Sequence, residues 1–413
     1  MTSVISLDEA REYVLAGCTV GHPRAVPLAE ALGLVTSVPV EAVEDVPPFD
    51  NTAMDGFAVR AADTAGATDD APVRLAVAGT LAAGAAPDLV VGPGEAVRIM
   101  TGAPMPPGAD AVVMVERTAT TDDGATVAVG LEVEPGNHVR RAGDDVRAGD
   151  LVFPAGTTLT PAHLGVLATL GVRRAPVYPR PRVGVISTGD ELVDGPEPLG
   201  PGQIRDSNRR MLLALVERTD AIAVDLGRIA DDEAAIAAAF AAGAESCDAI
   251  VSSGGVSMGD FDFVKVVLDR LGDMRWMRVA IKPAKPLAFG TIGTTPVFGL
   301  PGNPVSSLVS FELFARPGLR KMMGHATLDR LRLAAVADDA LARRPDGKVH
   351  FARVLVTYGE DGRFHVRTAG GQGSHQLAAA AAAGALAVLP DGDGVEAGGE
   401  VQIIPLGDLG TLG

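Results

Sequence analysis

The chain has 413 residues, 47% of them hydrophobic, and its 35 basic and 52 acidic residues give a net charge of −17. This length exceeds what one compact core usually accommodates and predicts about two to four domains. The acidic balance argues against general binding to nucleic acid or to an anionic membrane, because both require a basic footprint. An anionic ligand would need a local cluster of basic side chains.

The cysteine content and the apolar pattern indicate a cytoplasmic protein. Cys18 and Cys247 are far apart and lack the spacing of a disulfide framework or a thiolate zinc site. No apolar run reaches the roughly 20 residues of a membrane-spanning helix, and the N-terminus lacks a basic region followed by an apolar one.

The N-terminal part is predicted to begin with a helix. Ser6 and Glu9 form a capping-box pattern, followed by helical spacing through Leu15 and a stop at Gly17. Short Val-rich runs punctuated by Gly and Pro then predict a small β-rich domain over residues 47–140.

A second helix is predicted after this β-rich block. Thr160 is its N-cap, Pro161 occupies its first position and Gly171 lies past its end. We therefore interpret residues 47–140 as an insertion into a helical domain made of residues 1–46 and 141–176.

Residues 177–326 are predicted to form a doubly wound α/β domain, because strand and helix patterns alternate regularly. The successive segments are "RVGVIS", "SNRRMLLALVER", "AIAVDLGRI", "DEAAIAAAFAAG", "DAIVSSG", "DFVKVVLDRL", "PVFGLPG" and "PVSSLVSFELF". In such a parallel sheet, ligands bind at the carboxyl ends of the strands. The loops at those ends contain "STGDE", "IADD", "SSGGVSMGDFD" and "LPGNP".

The C-terminal residues 327–413 return to a β pattern. The stretch "KVHFARVLVTYGEDGRFHV" predicts a hairpin around "GEDG", and "EVQIIP" predicts a closing strand. The run of alanines near residue 378 predicts a short helix. The overall prediction is a multidomain α/β chain with a β-barrel-like C-terminal domain.

Carboxylates are concentrated at two places in the sequence. In "DNTAMDG", Asp50 and Asp55 would repel each other without a nearby cation or cationic side chain. Further acids recur in the loops of the doubly wound domain. Each fits a helix N-cap taken singly, but together they indicate a hard cation such as Mg²⁺ that bridges phosphates.

Two other segments have the chemistry to bind an anion. Gly254 and Gly255 follow a buried strand and would let backbone N–H groups approach an anion, although a structural turn is an equal alternative. Lys282 and Lys285 lie in a proline-stiffened loop, which is either a solvated basic edge or an oxyanion site. These features favour phosphoryl-type chemistry by positioning and charge neutralisation.

Long motifs across nearly the whole chain resemble the MoeA-type molybdopterin molybdenumtransferases and the related E domain of gephyrin. They are "PPFDNTAMDGFAV", "RIMTGAPMPPGADAVVMVE", "VRRAGDDV", "STGDEL", "SSGGVSMGDFDFVK", "AIKPAKP", "GLPGNPVSS" and "GSHQLA". One departure is Ala284, where the family usually has glycine.

The resemblance implies an elongated four-domain protomer that forms a homodimer. Its active site would lie between the doubly wound domain of one subunit and the β-rich insertion of the other. The implied reaction takes adenylylated molybdopterin, molybdate and Mg²⁺, releases AMP and inserts molybdenum into the dithiolene. The molybdopterin adenylyltransferase is a further implied partner.

The resemblance also assigns residues to roles. Matching catalytic positions are Asp55, Thr101, Asp145, Glu191, Asp231 and Asp262. Of these, Glu191, Asp231 and Asp262 are predicted to handle the metal and phosphates. The implied molybdate pocket consists of Lys282, Lys285, Arg353 and Ser374. The predicted loops for pterin or AMP contain Ser253, Gly254, Gly255, Ser257, Pro301, Gly302 and Asn303.

Two alternative functions are consistent with parts of this pattern. A molybdopterin adenylyltransferase resembles the doubly wound domain alone, but the additional β domains with Arg353 and Ser374 argue against it. A non-catalytic pterin-binding scaffold is the other alternative, and the presence of both the acids and the lysines argues against that one.

Overall fold

The computed structural model describes residues 3–121, 123–255 and 263–407. The chain separates into two compact units. The first contains residues 1–26, 33–37 and 176–413, and the second contains residues 27–32 and 38–175. The domain boundaries at residues 46, 140, 176 and 326 stay predictions. None of the helices in the described ranges is long and apolar enough to cross a membrane.

The first two helices begin at the capping residues that the sequence predicts. The α-helices are α1 (Leu7–Ala16), α2 (Pro161–Thr169), α3 (Ser207–Glu217), α4 (Glu233–Ser246), α5 (Phe263–Leu271), α6 (Pro304–Ser310), α7 (Arg316–Met322) and α8 (Leu377–Ala382). The Ser6 hydroxyl accepts a hydrogen bond from the Glu9 backbone N–H at 3.1 Å, and Gly17 caps the other end of α1. Thr160 caps α2, with His163 completing the capping box. Short 3₁₀ helices cover Leu28–Glu30, Ala61–Thr64 and Val115–Arg117, and a π-helical turn, Phe311–Ala315, joins α6 to α7.

A seven-stranded sheet forms the centre of the first unit. Its strands lie in the order Val4–Ile5, Asp273–Val279, Pro286–Ile292, Thr295–Leu300, Ala249–Ser253, Arg182–Thr188 and Ile222–Ile229. The last four strands in this order pair in parallel, which confirms the doubly wound α/β prediction. The strand Pro286–Ile292 pairs antiparallel with both of its neighbours, so the sheet is mixed.

Helices cover both faces of this sheet because the residues of its strands alternate between two cores. Val185 and Val251 face a core that includes residues of α1, α3, α6 and α7. Ile186 and Ile250 face the opposite core, which includes residues of α4 and α5. Parallel strands buried on both faces account for the near-continuous apolar runs in the sequence.

The C-terminal part of the first unit contains a closed five-stranded barrel. Its strands follow one another around the ring in the order Val349–Tyr358, Phe364–Thr368, Leu333–Ala337, Glu400–Pro405 and Ala385–Leu389, and the last pairs with the first. The predicted hairpin, closing strand and Ala-rich helix α8 are confirmed. Val354 and Val356 point into the barrel core, whereas Phe351 packs in the core shared with α6. By strand alternation, Arg353 lies on the same side as Phe351.

The second unit is built around a six-stranded sheet, as the β-rich pattern predicts. Its order is Thr118–Thr120, Thr126–Val129, Val73–Leu81, Glu95–Ile99, Gly56–Val59 and Ala111–Met114. Two short pairs, Val139–Arg140 with Asn51–Thr52 and Leu151–Phe153 with Val40–Glu41, complete this unit.

Ile281–Lys282 pairs with the barrel strand Val349–Tyr358 and so extends its sheet. The remaining strands form small sheets: Leu192–Val193 pairs with Ile204–Arg205, and Leu341–Ala342 pairs with Gly394–Val395. A three-stranded sheet has the order Arg24–Pro27, Arg174–Tyr178, Val35–Thr36.

The buried guanidinium of Arg209, on α3, binds three carboxylates. Its Nε donates to Asp206 at 3.0 Å, its Nη1 contacts both oxygens of Asp225 at 2.7 and 2.6 Å, and its Nη2 bonds to Asp194. The side chains of Arg209 and Asp206 are only 4% and 1% exposed. Asp206 also caps α3 by accepting a hydrogen bond from the Arg209 backbone N–H. The start of α3 is therefore fixed by a buried ionic network.

We expect Arg209→Ala to lower the free energy of unfolding by about 3–5 kcal/mol, because it leaves the Asp206 carboxylate buried without its cation. The neighbouring Arg210 is a matched control: its side chain is 68% exposed and only approaches Asp225, at 3.7 Å. Arg210→Ala should change the free energy by less than about 1 kcal/mol. Equal losses in urea denaturation would contradict a buried network centred on Arg209.

Candidate active site

A cleft of about 100 Å³ opens at the carboxyl ends of the parallel strands in the first unit. The residues that line it come from three loops and from the start of α3. They are Ser187, Thr188, Glu191, Leu192, Ile204, Arg205, Asp206, Ser207, Asn208, Ser253, Gly254, Gly302 and Pro304. Four of the predicted site residues, Glu191, Ser253, Gly254 and Gly302, thus line one cleft.

The glycine pair in this cleft has the backbone geometry that an anion-binding turn requires. Gly254 and Gly255 have φ values of 97° and 66°, in the left-handed region that favours glycine. A Cβ atom on Gly254 would lie 2.9 Å from the carbonyl oxygen of Thr188. The Gly254 N–H donates to the Leu300 carbonyl at 3.2 Å. This N–H therefore serves the turn itself, so the structural interpretation of the glycines has support at this position.

Asn208 connects the two predicted ligand-binding loops. Its Nδ2 donates to the Ser253 Oγ and to the Gly302 carbonyl oxygen, each at 2.7 Å. The neighbouring Pro301 is buried, while Asn303 is exposed and precedes α6 as its N-cap residue. The two hydrogen bonds of Asn208 therefore fix the positions of the two loops around the cleft.

The predicted metal-handling acids lie in adjacent loops. Glu191 follows the strand Arg182–Thr188, and Asp231 follows the strand Ile222–Ile229; both side chains are exposed. The Asp231 N–H donates to Asp190 at 3.1 Å, which brings the two loops together. Asp262 and Ser257 lie outside the described residues. Among the described residues, no group of three or more His, Cys, Asp or Glu side chains is arranged to hold a metal ion.

Arg353 is a buried arginine with unused donors. Its side chain is almost fully buried, and its Nη2 donates to the carbonyl oxygens of Gly371 and Gly373 at 2.7 and 3.2 Å. Within the described part of the chain, its Nε and Nη1 have no hydrogen-bond partner. Burial lowers the pKa of this guanidinium below its ordinary value. Two buried donors on a cation favour an anion as the missing partner.

The other predicted oxyanion residues lie near the strand and loop that position Arg353. The loop that accepts from Arg353 continues into Ser374, whose carbonyl oxygen accepts from the Val305 N–H at 3.0 Å. Lys282 stands opposite His350, three residues before Arg353 on the same strand. Lys285 closes the turn over residues 279–285, because its carbonyl oxygen accepts a hydrogen bond from the Val279 N–H at 2.7 Å.

Ala284, the departure from the family pattern, occupies a conformation that favours glycine. Its φ is 75°, and its side chain is buried. A non-glycine residue in the left-handed region costs roughly 1–2 kcal/mol. This geometry accounts for the family's glycine at the position.

In the second unit, Asp55 and Thr101 form one polar cluster. The Asp55 carboxylate accepts from both the backbone N–H and the hydroxyl of Thr101, each at 2.7 Å. The hydrogen bond from the Thr101 backbone N–H is the main cause that holds the pKa of this exposed carboxyl below its ordinary value, and the hydroxyl hydrogen bond is the second. Asp145 is exposed, and its backbone N–H donates to the Val46 carbonyl at 2.9 Å.

The partners of the two acids in "DNTAMDG" answer the charge problem that the sequence raises. Arg141 donates to Asp50 at 2.6 Å, and the Ala142 N–H donates to the same carboxylate at 2.9 Å. A cationic side chain therefore compensates Asp50, whereas hydroxyl and amide donors compensate Asp55. Since Arg141 is 91 residues from Asp50, no local pattern could reveal the pair.

Sequence reasoning missed several residues of the cleft. Ser187 donates to the buried Asp206, and Asn208 follows two residues later. The available signal was the run "RDSN" (residues 205–208) at the start of an amphipathic helix, where four polar residues exceed the need for one cap.

Comparison with known families identifies three matching regions. Residues 5–171 match the MoeA N-terminal region (domain I and II), residues 184–321 match a probable molybdopterin binding domain, and residues 335–406 match the MoeA C-terminal region (domain IV).

Relatives match over most of the chain. Molybdopterin molybdenumtransferase 2 of Mycobacterium tuberculosis is 44% identical, covering 88% of this chain and 92% of the relative. Molybdopterin molybdenumtransferase of Haemophilus influenzae is 38% identical, covering 98% and 100%. Among solved structures, the molybdopterin biosynthesis MoeA protein from Pyrococcus horikoshii superposes with a TM-score of 0.79 at 30% identity, covering 98% and 100%.

We expect Thr101→Val to raise the pKa of Asp55 toward its ordinary value, because the hydroxyl donor is removed. The pKa should stay below that value, since the Thr101 backbone N–H still donates. Carbon-13 NMR titration of the carboxyl groups measures the change. Asp123, which has its own hydroxyl and backbone donors in the same unit, is the internal control and should not shift. An unchanged Asp55 titration would contradict the assigned hydroxyl bond.

Proposed function

The chain belongs to the MoeA family of molybdopterin molybdenumtransferases, and from this membership we propose that it inserts molybdenum from molybdate into adenylylated molybdopterin. The phosphoanhydride is hydrolysed in a Mg²⁺-dependent step, AMP leaves, and the dithiolene receives the metal. The enzyme acts in the cytoplasm as a homodimer. It takes its substrate from the molybdopterin adenylyltransferase.

The observation that carries this proposal is the unpartnered pair of donors on buried Arg353. A buried cation with unused donors is costly, and an oxyanion beside the guanidinium would accept from one of these donors and offset the charge. Molybdate is a compact dianion with several acceptor oxygens. The planar guanidinium suits such a ligand, because its donors are held in a fixed fork.

The neighbouring groups supply the remainder of an oxyanion pocket. Lys282 and Lys285 contribute ammonium charges from the turn beside the Arg353 strand, and Ser374 contributes a hydroxyl from the loop that Arg353 holds. In a chain with a net charge of −17, this local concentration of basic groups favours an anion at this place. The carbonyl bonds to Gly371 and Gly373 fix the orientation of Arg353.

The cleft with Glu191 suits the adenylylated end of the substrate. Its Gly254–Gly255 turn allows close approach, and Ser253 offers a hydroxyl. Glu191 and Asp231 are exposed carboxylates. Mg²⁺ uses one or two carboxylates together with substrate phosphates and water, so this oxygen donor set fits it. When bound, Mg²⁺ would neutralise charge on the phosphoanhydride; Asp262 is the third predicted ligand.

The chain's own residues would act by holding charges in position. Arg353, Lys282 and Lys285 bind and orient molybdate, while Glu191 and Asp231 hold the adenylylated end at the neighbouring cleft. Asp55 and Thr101 form a preformed pair that we assign to substrate contact. Phosphoryl-type reactions depend mainly on such positioning and electrostatic stabilisation.

The alternatives use less of the chain. An adenylyltransferase needs the doubly wound domain but leaves Arg353 and the C-terminal barrel without a role. A scaffold has no need for a buried arginine with open donors. Incubation with ATP and molybdopterin tests the first alternative, and AMP release from adenylylated molybdopterin tests the second.

We expect molybdate to rescue Lys282→Ala but not Glu191→Gln. Removing one charge-assisted contact of roughly 1.5–3 kcal/mol should raise the half-saturating molybdate concentration about ten- to a hundredfold. Glu191→Gln should lose AMP release at every molybdate concentration, because it affects the phosphate end. The measurement is AMP release across a molybdate titration.

Arg363→Ala is the matched control for charge loss, because Arg363 is half-exposed on the barrel hairpin and lies 3.6 Å from Glu400. Its half-saturation point should equal that of the unmodified enzyme. An unchanged half-saturation point for Lys282→Ala, or rescue of Glu191→Gln by molybdate, would show that the basic residues do not serve the oxyanion.

We further expect mixed dimers to regain activity when Asp55→Asn and Glu191→Gln protomers are combined. If each active site takes Asp55 from one protomer and Glu191 from its partner, one of the two sites in a heterodimer is intact. The mixture should release AMP at up to about half of the normal rate per heterodimer, whereas each variant alone should not. Verified subunit exchange without any recovery would indicate a site completed within one chain.

A further inference from the structure

Asn208 has one end of its amide fully used and the other end unused. Both Nδ2 hydrogens are engaged, by the Ser253 Oγ and by the Gly302 carbonyl oxygen. The Oδ1 atom is buried and has no hydrogen-bond partner among the described residues. Asn208 is also one of the residues that line the cleft with Glu191.

The orientation of this amide is fixed by its partners. A carbonyl oxygen such as that of Gly302 can only accept a hydrogen bond, so the atom facing it must be the Nδ2 donor. Rotating the amide by 180° would place two acceptors against each other. Oδ1 is therefore a permanent acceptor.

An acceptor buried without a donor costs about as much as a lost hydrogen bond, so its presence beside a ligand cleft indicates a donor on the ligand. The other groups at this position narrow the choice. The nearby Glu191 carboxylate and the carbonyl oxygens around the turn are acceptors as well. The cleft therefore favours an O–H or N–H group over another anionic oxygen.

We propose that Asn208 Oδ1 accepts a hydrogen bond from a ribose hydroxyl of the adenylylated substrate. This inference rests on the proposed function, which places the phosphoanhydride near Glu191. On one side of that linkage the nearest donor groups are the ribose hydroxyls, whereas on the other side the dithiolene offers sulfur acceptors. Asn208 thus distinguishes the nucleotide end from the pterin end and sets the direction in which the substrate lies.

The test compares Asn208→Ala with the unmodified protein for binding of AMP, 2′-deoxy-AMP and 3′-deoxy-AMP in the presence of Mg²⁺, by isothermal titration calorimetry. The unmodified protein should bind one of the deoxy compounds about tenfold more weakly than AMP. Asn208→Ala should bind AMP about tenfold more weakly and should no longer distinguish AMP from that deoxy compound.

A second variant separates the acceptor from the two Nδ2 bonds. Asn208→Asp keeps an acceptor oxygen but loses both donors, so it should still prefer AMP over the deoxy compound even if its overall affinity falls. Thermal unfolding of both variants shows the cost of losing the loop contacts. This preference cannot arise from a purely structural role, which would weaken all three ligands equally.

Equal weakening of all three ligands by Asn208→Ala, or no preference for AMP in the unmodified protein, would overturn the inference. The proposed function is judged separately by AMP release from adenylylated molybdopterin. Normal AMP release by the unmodified enzyme together with absent ribose discrimination would remove the role of Asn208 alone. Absent AMP release would remove the function itself.

Discussion

The buried contact between Arg209 and Asp206 is the interaction on which the cleft of the first unit depends. Asp206 fixes the first turn of α3, receives the hydroxyl of Ser187 from the neighbouring strand, and precedes Asn208 by two residues. Asn208 in turn holds the loops of Ser253 and Gly302. The hydrogen bonds of this network offset the cost of burying charge at the base of the cleft. The same network positions polar groups on three different loops.

Local sequence signals predicted most helices and the parallel strands, but not the contacts between elements. Ser6, Thr160 and the alternation after residue 182 predicted helices and a doubly wound sheet, because caps and hydrophobic periodicity are local properties. The strands Asp273–Val279 and Pro286–Ile292 were missed, since basic residues and prolines in "MRVAIKPAKPLAF" obscured the alternation. The pairing of Asp50 with Arg141 and the open donors of Arg353 depend on residues far apart in sequence. Family resemblance supplied Arg353, whereas its burial required the structure.

Two of the open hydrogen-bonding groups among the described residues of the first unit are chemically opposite. Arg353 presents donors on a cation, and Asn208 presents a neutral acceptor. A tetrahedral oxyanion can satisfy only the former, and a sugar hydroxyl can satisfy the latter. Unsatisfied buried groups are few in folded proteins, so each one constrains the ligand more than an exposed residue of the same type does. Under the proposed function, the unpaired end of each side chain would therefore determine which end of the substrate lies beside it.

The closed barrel determines on which side of its strand the Arg353 guanidinium lies. Side chains on the strand Val349–Tyr358 alternate between the barrel interior and the core beside α6, so a slip of one residue would carry the guanidinium into the apolar interior with Val354 and Val356. In an open sheet, a register shift of an edge strand breaks the backbone hydrogen bonds to only one neighbouring strand. Here the strand is paired on both sides within a ring, so a slip would break two ladders together. Closure of the barrel thus fixes the register of this strand and, with it, the position of the Arg353 guanidinium. Insertions into the strand should therefore be far less tolerated than insertions at the "GEDG" hairpin.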